Sequence, residues 1–255
     1  MKSREISIVG FGRFGQLLAS ILSEDCSIKV YDKKIDLQNT LNKPNLQFVG
    51  IDSLLKSPTI FYCVPISDLE KTVIEHLPIY KSMQESKLLI DVLSVKLHPQ
   101  KVFKNLLPDN YQVLLTHPMF GPDNVKANGL IGQTLVIDRN TASETNHVWW
   151  KNYFINKKVN VVEMTADEHD RLAAKSQGVT HLIGRMLDQF NFTPTPIDTI
   201  GAKHLHSIKE QTCNDTWQLF EDLQTFNPYT SQMRSQLGKA FNKTSERLNK
   251  ENCSG

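Results

Sequence analysis

The sequence predicts an α/β protein in two parts: a doubly wound, mostly parallel sheet over residues 1–164, then a second, all-helical domain over residues 165–255. Three observations carry that prediction. Short apolar strands alternate with segments of helical period in the first part. A glycine-rich turn joins the first strand to the first helix. Near residue 165 the strand signals cease and helical periodicity takes over.

The strands are read from short apolar, β-branched runs: Ile6–Val9, Ile28–Tyr31, Thr59–Val64, Leu88–Leu93, Gln112–Leu115, Thr134–Ile137 and Val159–Val162. The first helix follows Gly15, with Leu17, Leu18, Ile21 and Leu22 on one face. Residues 66–79 and 99–106 have the same period. Strands separated by helices require a sheet covered on both faces. Thr165 followed three residues later by Glu168 is a capping box. One long helix is expected from there to about Gln189, then a turn at Thr193–Pro196, then helical stretches over 204–226 and 229–248. The polar tail after Leu248 is expected to fray.

Composition narrows the function. A chain of 255 residues suffices for one large or two modest domains. Its net charge is +2 and its cations are dispersed, so it lacks the basic stripe of a nucleic-acid binder. Cys26, Cys63, Cys213 and Cys253 are far apart, without metal-ligand spacing, which suits a reducing compartment. The first apolar segment is broken at once by glycines and reads neither as a signal segment nor as a membrane span. A cytoplasmic protein is expected.

Gly10-Phe11-Gly12-Arg13-Phe14-Gly15 is G-x-G-x-x-G between a predicted strand and helix, the setting of a Rossmann-type dinucleotide site. Gly10 permits the tight turn, Gly12 lets a pyrophosphate approach the backbone, and Gly15 lets helix and strand pack closely. Phosphates then meet the helix N-terminus. Asp32 ends the second strand, about 20 residues on, where a carboxylate accepts from both ribose hydroxyls and repels a 2′-phosphate. This favours NAD, although Lys33 and Lys34 offer cations to NADP if the carboxylate turns away. Cys63-Val64-Pro65 ends the third strand and reads as a wall of the nicotinamide-ribose pocket, or Cys63 as a small buried apolar residue.

Two polar segments end the next strands: Asp91–Lys96 (DVLSVK) and Thr116–Pro122 (THPMFGP). In a doubly wound sheet both reach the rim that holds the glycine loop. A histidine there, pinned by Pro118, is placed to act as a base, with Ser94 from the neighbouring strand to orient it. A lone histidine is more often a satisfied core or surface residue; three converging strand ends favour function.

LSVK followed by THPMFGP resembles the signature of the prephenate/arogenate dehydrogenase family, and Glu163–Met186, Thr195–Thr199 and Asp215–Phe220 are similar to that family's helical dimerisation domain. The resemblance covers nearly the whole chain and is nearest to plant-type arogenate dehydrogenases. It implies oxidative decarboxylation of a cyclohexadienol, arogenate or prephenate, with hydride transfer to NAD(P) on the route to tyrosine, and a homodimer. It implies His117 as the base for the C4 hydroxyl and Ser94 as its hydrogen-bonding partner. Thr116, Gln177, His181 and Asp215 would lie on the substrate side. Asp215 would pair with the ammonium of arogenate, or else cap the helix after it. His169 and Asp170 are expected only to cap or brace the domain junction. The chain departs from many bacterial members at Glu210, where those carry a carboxylate-gripping arginine; Lys209 and Arg185 are the nearby cations. The competing readings are a β-hydroxyacid dehydrogenase or imine reductase, with Lys175 in the catalytic place, and a nucleotide sensor without catalysis. Leu219, Phe220, Leu223 and Phe226 look exposed and in need of a partner surface.

Overall fold

The computed structural model describes residues 4–34, 44–83 and 85–251. Part of the polar tail, with Cys253, lies outside them. The chain divides into two units, residues 1–169 and 170–255.

The first unit is built on one sheet. Its strands are β1 (Glu5–Val9), β2 (Ser27–Tyr31), β3 (Leu46–Phe48), β4 (Thr59–Tyr62), β5 (Leu88–Asp91), β6 (Gln112–Pro118), β7 (Thr134–Asp138) and β8 (Asn160–Glu163). Their spatial order is β3-β2-β1-β4-β5-β6-β7-β8. All neighbouring pairs are parallel except β6 with β7, where His117 lies opposite Val136. The helices are α1 (Arg13–Leu22), α2 (Ile51–Leu54), α3 (Leu69–Ser82), α4 (Leu97–Leu106), α5 (Pro122–Asn128), α6 (Glu144–Asn156) and α7 (Ala166–Lys175), the last running across the division between the units. Every residue of β4 and β5 is buried, as expected of central strands with both faces covered. Ile6, Ile8, Ile28, Val30, Phe61, Ile90 and Leu114 form the centre of the core. Trp150 of α6 is fully buried and meets Phe61 edge-on at 4.9 Å.

The order reverses between β1 and β4. Strands on the two sides connect in opposite directions there, which opens a crevice at their C-terminal ends. The glycine loop leaves β1 at this point and Cys63–Pro65 leaves β4.

The remaining elements are α8 (Gln177–Gln189), α9 (Ile200–Cys213), α10 (Trp217–Phe226) and α11 (Thr230–Glu251). In the second unit α8 packs closely on α9: a Cβ on Gly184 would run into the Thr212 hydroxyl and come within 3.1 Å of Ile208 O. Gln224 Nε2 donates to Gly178 O (2.9 Å) and Asn227 Nδ2 to Asp170 O (2.8 Å). Arg234 Nη1 donates to both oxygens of Gln224 at 2.8 Å.

The structure corrects several expectations. The long helix after Thr165 is two helices, because Ser176 departs from helical geometry at φ −110°, ψ −85°. Its hydroxyl bonds back to Leu172 O at 3.0 Å, a local bond that competes with the helical ladder. The stretch 204–226 is likewise two helices. Thr216, in extended conformation, caps α10 by accepting from Leu219 N at 3.1 Å, so Asp215 is not the N-cap. Leu223 is buried and Leu219, Phe220 and Phe226 are half-buried; the exposed apolar residues of this half include Ile197, Phe190, Ile200 and Phe241. The hydroxyl half of the capping box at Thr165 forms, with Glu168 N donating to it at 3.2 Å.

Candidate active site

The glycine loop has the geometry its sequence demands. Gly10 sits at φ +93°, where side chains are strained, and a Cβ there would press on the Cys63 peptide, with Cys63 C at 2.9 Å. Gly15 packs so tightly that a Cβ would come within 3.1 Å of Gly10 C. Gly12 is the opposite: nothing lies within 4 Å of its missing side chain. Gly12 is also the N-cap of α1 and offers no side-chain cap. The loop thus presents an open stretch of backbone at a helix N-terminus, the cradle an anionic group requires. Asp32 closes the far side. Its Oδ2 accepts from Phe11 N at 2.7 Å and its Oδ1 from Lys34 N at 2.8 Å. Lys33 pairs with Glu75 at 2.5 Å.

Phe11 and Phe14 pack against the core; Phe11 meets Phe48 edge-on at 5.0 Å and Phe14 lies 6.4 Å from Phe120. Arg13 pairs with Asp123 of α5 at 2.6 Å, both exposed. Cys63 and Val64 are half-buried and Pro65 is exposed. Burial, with help from the Asp91 carboxylate, pushes the Cys63 thiol far above its usual range, which disfavours the reactive thiolate.

The ends of β5 and β6 are locked to each other. Asp91 is fully buried and pairs with Lys96, itself 1 % exposed. Leu93 N (3.0 Å) and Thr116 N (3.2 Å) also donate to its carboxylate. The Thr116 hydroxyl donates to Asp91 O and Lys96 Nζ to Thr116 O, both at 2.5 Å. Burial raises the Asp91 carboxyl against the pull of the Lys96 ammonium and these donors. The loop bearing Ser94 and the strand bearing His117 are therefore held by one buried ion pair. Thr116, expected to face substrate, has its hydroxyl engaged in this brace.

His117 is 2 % exposed and lies inside β6, which runs through Pro118 instead of ending at Leu115. Its Nδ1 lies 2.8 Å from Nε2 of His169, also buried, with the rings edge-on at 5.0 Å. Ser94 is half-buried, and among the described residues no hydrogen bond joins it to His117. His169, read from sequence as a brace, is the residue placed on the imidazole. It is the fourth residue of α7 and is 3 % exposed. Only the fold brings residues 117 and 169 together.

In the second unit, Gln177, His181 and Arg185 share one face of α8 at intervals of four. His181 is buried, and desolvation, reinforced by the Arg185 charge, lowers it to about 4. Arg185 Nη2 donates to Asp215 O at 2.5 Å, and its guanidinium lies over Trp217 at 4.5 Å. Lys175 is exposed at the end of α7 and Glu210 is exposed on α9. Among the described residues no cluster of His, Cys, Asp or Glu could hold a metal ion, and no helix is long and apolar enough to cross a membrane.

The strand order, the switch point and the glycine loop together define a nucleotide-binding α/β unit of dehydrogenase type. The family model "Prephenate dehydrogenase, nucleotide-binding domain" matches residues 19–153, more than half of the chain. The model "TYRAAT1-like, C-terminal domain" matches residues 186–254. Arogenate dehydrogenase 2, chloroplastic, of Arabidopsis thaliana is 31% identical over 96% of this chain and 70% of its own length. Arogenate dehydrogenase 1, chloroplastic, of the same plant is 33% identical over 93% of this chain, which spans only 38% of that protein. The crystal structure of prephenate dehydrogenase from A. aeolicus, with hydroxyphenyl propionate and NAD+, shares the fold at a TM-score of 0.73 and 16% identity, covering 98% of this chain and 92% of that one. The chain belongs to the prephenate/arogenate dehydrogenase family.

Proposed function

We propose that the protein oxidises and decarboxylates arogenate to tyrosine, with prephenate to 4-hydroxyphenylpyruvate as the second substrate, using NAD. The observation that carries this reading is the buried His117, held by His169 at the rim where the glycine loop opens. A nicotinamide in that crevice supplies the hydride acceptor. His117 Nε2 takes the proton of the substrate C4 hydroxyl while C4 gives up hydride. The electron pair of the C1–carboxylate bond enters the ring, CO2 leaves and the ring becomes aromatic. For Nε2 to accept, Nδ1 must carry the other hydrogen, and His169 Nε2 is in place to receive it. Ser94, on the adjoining loop, is assigned to the substrate hydroxyl.

Cofactor choice follows from Asp32. Its carboxylate is held in the loop by two backbone N–H groups, so it does not turn away from the ribose. Lys33 is engaged with Glu75. That arrangement favours NAD over NADP. Asp215 is assigned to the substrate ammonium, and Gln177 and His181 to the substrate side of the helical unit. Exposed Ile197, Phe190, Ile200 and Phe241 supply the apolar surface of a homodimer. Cys26, Cys63 and Cys213 are free thiols, which suits the cytoplasm.

The test is a mixture of the protein with NAD or NADP and each cyclohexadienol, followed at the absorbance of the reduced nicotinamide. Turnover faster with arogenate and NAD is expected, and Asp215→Asn should shift the kcat/KM ratio toward prephenate. Absence of turnover with all four combinations contradicts the assignment; an unchanged ratio removes Asp215 from specificity.

A further inference from the structure

Helix α8 carries a row that the reaction above does not fully explain. Gln177, His181 and Arg185 span about 12 Å along one face at 1.5 Å per residue. Each contributes a buried atom without a hydrogen-bond partner: Gln177 Oε1, His181 Nδ1 and Arg185 Nε. Arg185 is 5% exposed and His181 7%. Buried polar atoms are nearly always satisfied, so three orphans in one row mark a place where a ligand completes the bonding.

Arg185 dominates that row. Among the described residues no carboxylate pairs with it. Trp217 lies at 4.5 Å and Phe220 at 5.8 Å from its guanidinium, and Nη2 is committed to Asp215 O. The fork is therefore fixed in orientation, with its Nε edge left for an acceptor. A planar guanidinium offers parallel donors that match a carboxylate. The alternative cation, Lys209, is already engaged, with Phe192 O at 3.0 Å and Asp188 at 3.4 Å. Burial keeps His181 neutral near pH 7, so Arg185 is the row's one fixed positive charge.

The geometry points to Arg185 as the residue that holds the side-chain carboxylate of the substrate, next to Asp215, which takes the ammonium on the same carbon. Arg185 and Asp215 then form an acid–base pair matched to an amino-acid head group, with Gln177 and His181 continuing the row as uncharged partners. This rests on the substrate proposed above, and its test separates the two.

The probes are three phenols, titrated calorimetrically into the full chain with NAD present: tyrosine, 3-(4-hydroxyphenyl)propionate, which lacks the ammonium, and tyramine, which lacks the carboxylate. In Arg185→Gln, tyrosine and hydroxyphenylpropionate should each weaken about a hundredfold, the scale for losing one partner of a buried charge pair. Tyramine should change less than about threefold on the same reasoning. Arg185→Lys, which keeps the charge without the fork, should fall between and serves if the glutamine variant does not fold. Equal weakening of all three probes makes Arg185 a merely structural residue and overturns the assignment, as does no weakening of any. Wild-type protein that turns over neither cyclohexadienol shows instead that the substrate reading has failed.

Discussion

At the residue scale, the proposed reaction gives the two nitrogens of His117 different tasks. Nε2 must keep a lone pair for the substrate proton, and Nδ1 must hold a hydrogen that fixes the tautomer. His169 stands on Nδ1 at 2.8 Å and does for His117 what a carboxylate does in many catalytic dyads, but without a negative charge. His169→Ala should therefore lower kcat about tenfold or more, on the scale of general-base positioning, and displace the acid limb of the pH–rate profile. An unaltered profile with only a lower melting temperature would make His169 a packing residue. The motif strings made the placement of His117 and Ser94 at neighbouring strand ends legible, but not their contact: among the described residues no hydrogen bond joins them. His169 was not legible as a partner, because its contact spans 52 residues and depends on how α7 leaves β8. The same holds for Thr116: a hydroxyl beside a catalytic residue reads as a substrate ligand until the buried Asp91–Lys96 pair shows what it braces.

Elements differ in how openly their residues announce them. The central strands β4 and β5 were readable because full burial demands an unbroken apolar run. Helix α6 leaves no helical period in the sequence because its apolar residues do not form one stripe. Trp150 and Phe154 face the core, whereas Val148 and Ile155 are exposed. Its Ser143 cap, accepting from Asn146 N, was a signal that the periodicity obscured. Helix α5 had Pro122 at its first turn and Gly129 after its end, local cues in a segment too short for a period. Packing of α8 on α9 depends on Gly184. Gly184→Ala should destabilise the helical unit by about 1–3 kcal/mol through overpacking, measured by denaturant melts, because the added carbon meets the Thr212 hydroxyl and a backbone carbonyl. Thr212→Ala in the same chain should recover part of the loss; a fully stable Gly184→Ala protein would show that the helices can separate without cost.

For the whole molecule, buried neutral histidines set the response to acid. His76 and His181 are each lowered to about 4, chiefly by desolvation, against an ordinary value near 6.5. Between those limits the unfolded chain binds protons that the folded chain refuses. The contribution of these two histidines to stability is thus expected to be full above about pH 6.5 and to fall as pH drops toward 4, by about 2 kcal/mol for each between pH 7 and pH 5. His76 lies in a buried network with Tyr62 (2.9 Å), which in turn meets Tyr80 at 2.7 Å. His76→Gln should flatten the dependence of melting temperature on pH over that window, and an unchanged slope would mean that His76 is already protonated in the fold. At this scale the sequence conveyed the order of the parts, sheet first and helices after. It did not convey that β7 turns antiparallel, since a two-strand reversal at the sheet's end leaves no mark on composition.

The central claim is that the imidazole of His117 takes the proton as hydride leaves C4. The most direct measurement is single-turnover reduction of NAD by His117→Asn beside wild type, with NAD binding measured separately. NAD affinity should be retained and the rate should fall by roughly a hundredfold to ten-thousandfold, the usual scale for removing a general base. A variant that binds NAD and reduces it at nearly the wild-type rate would contradict it.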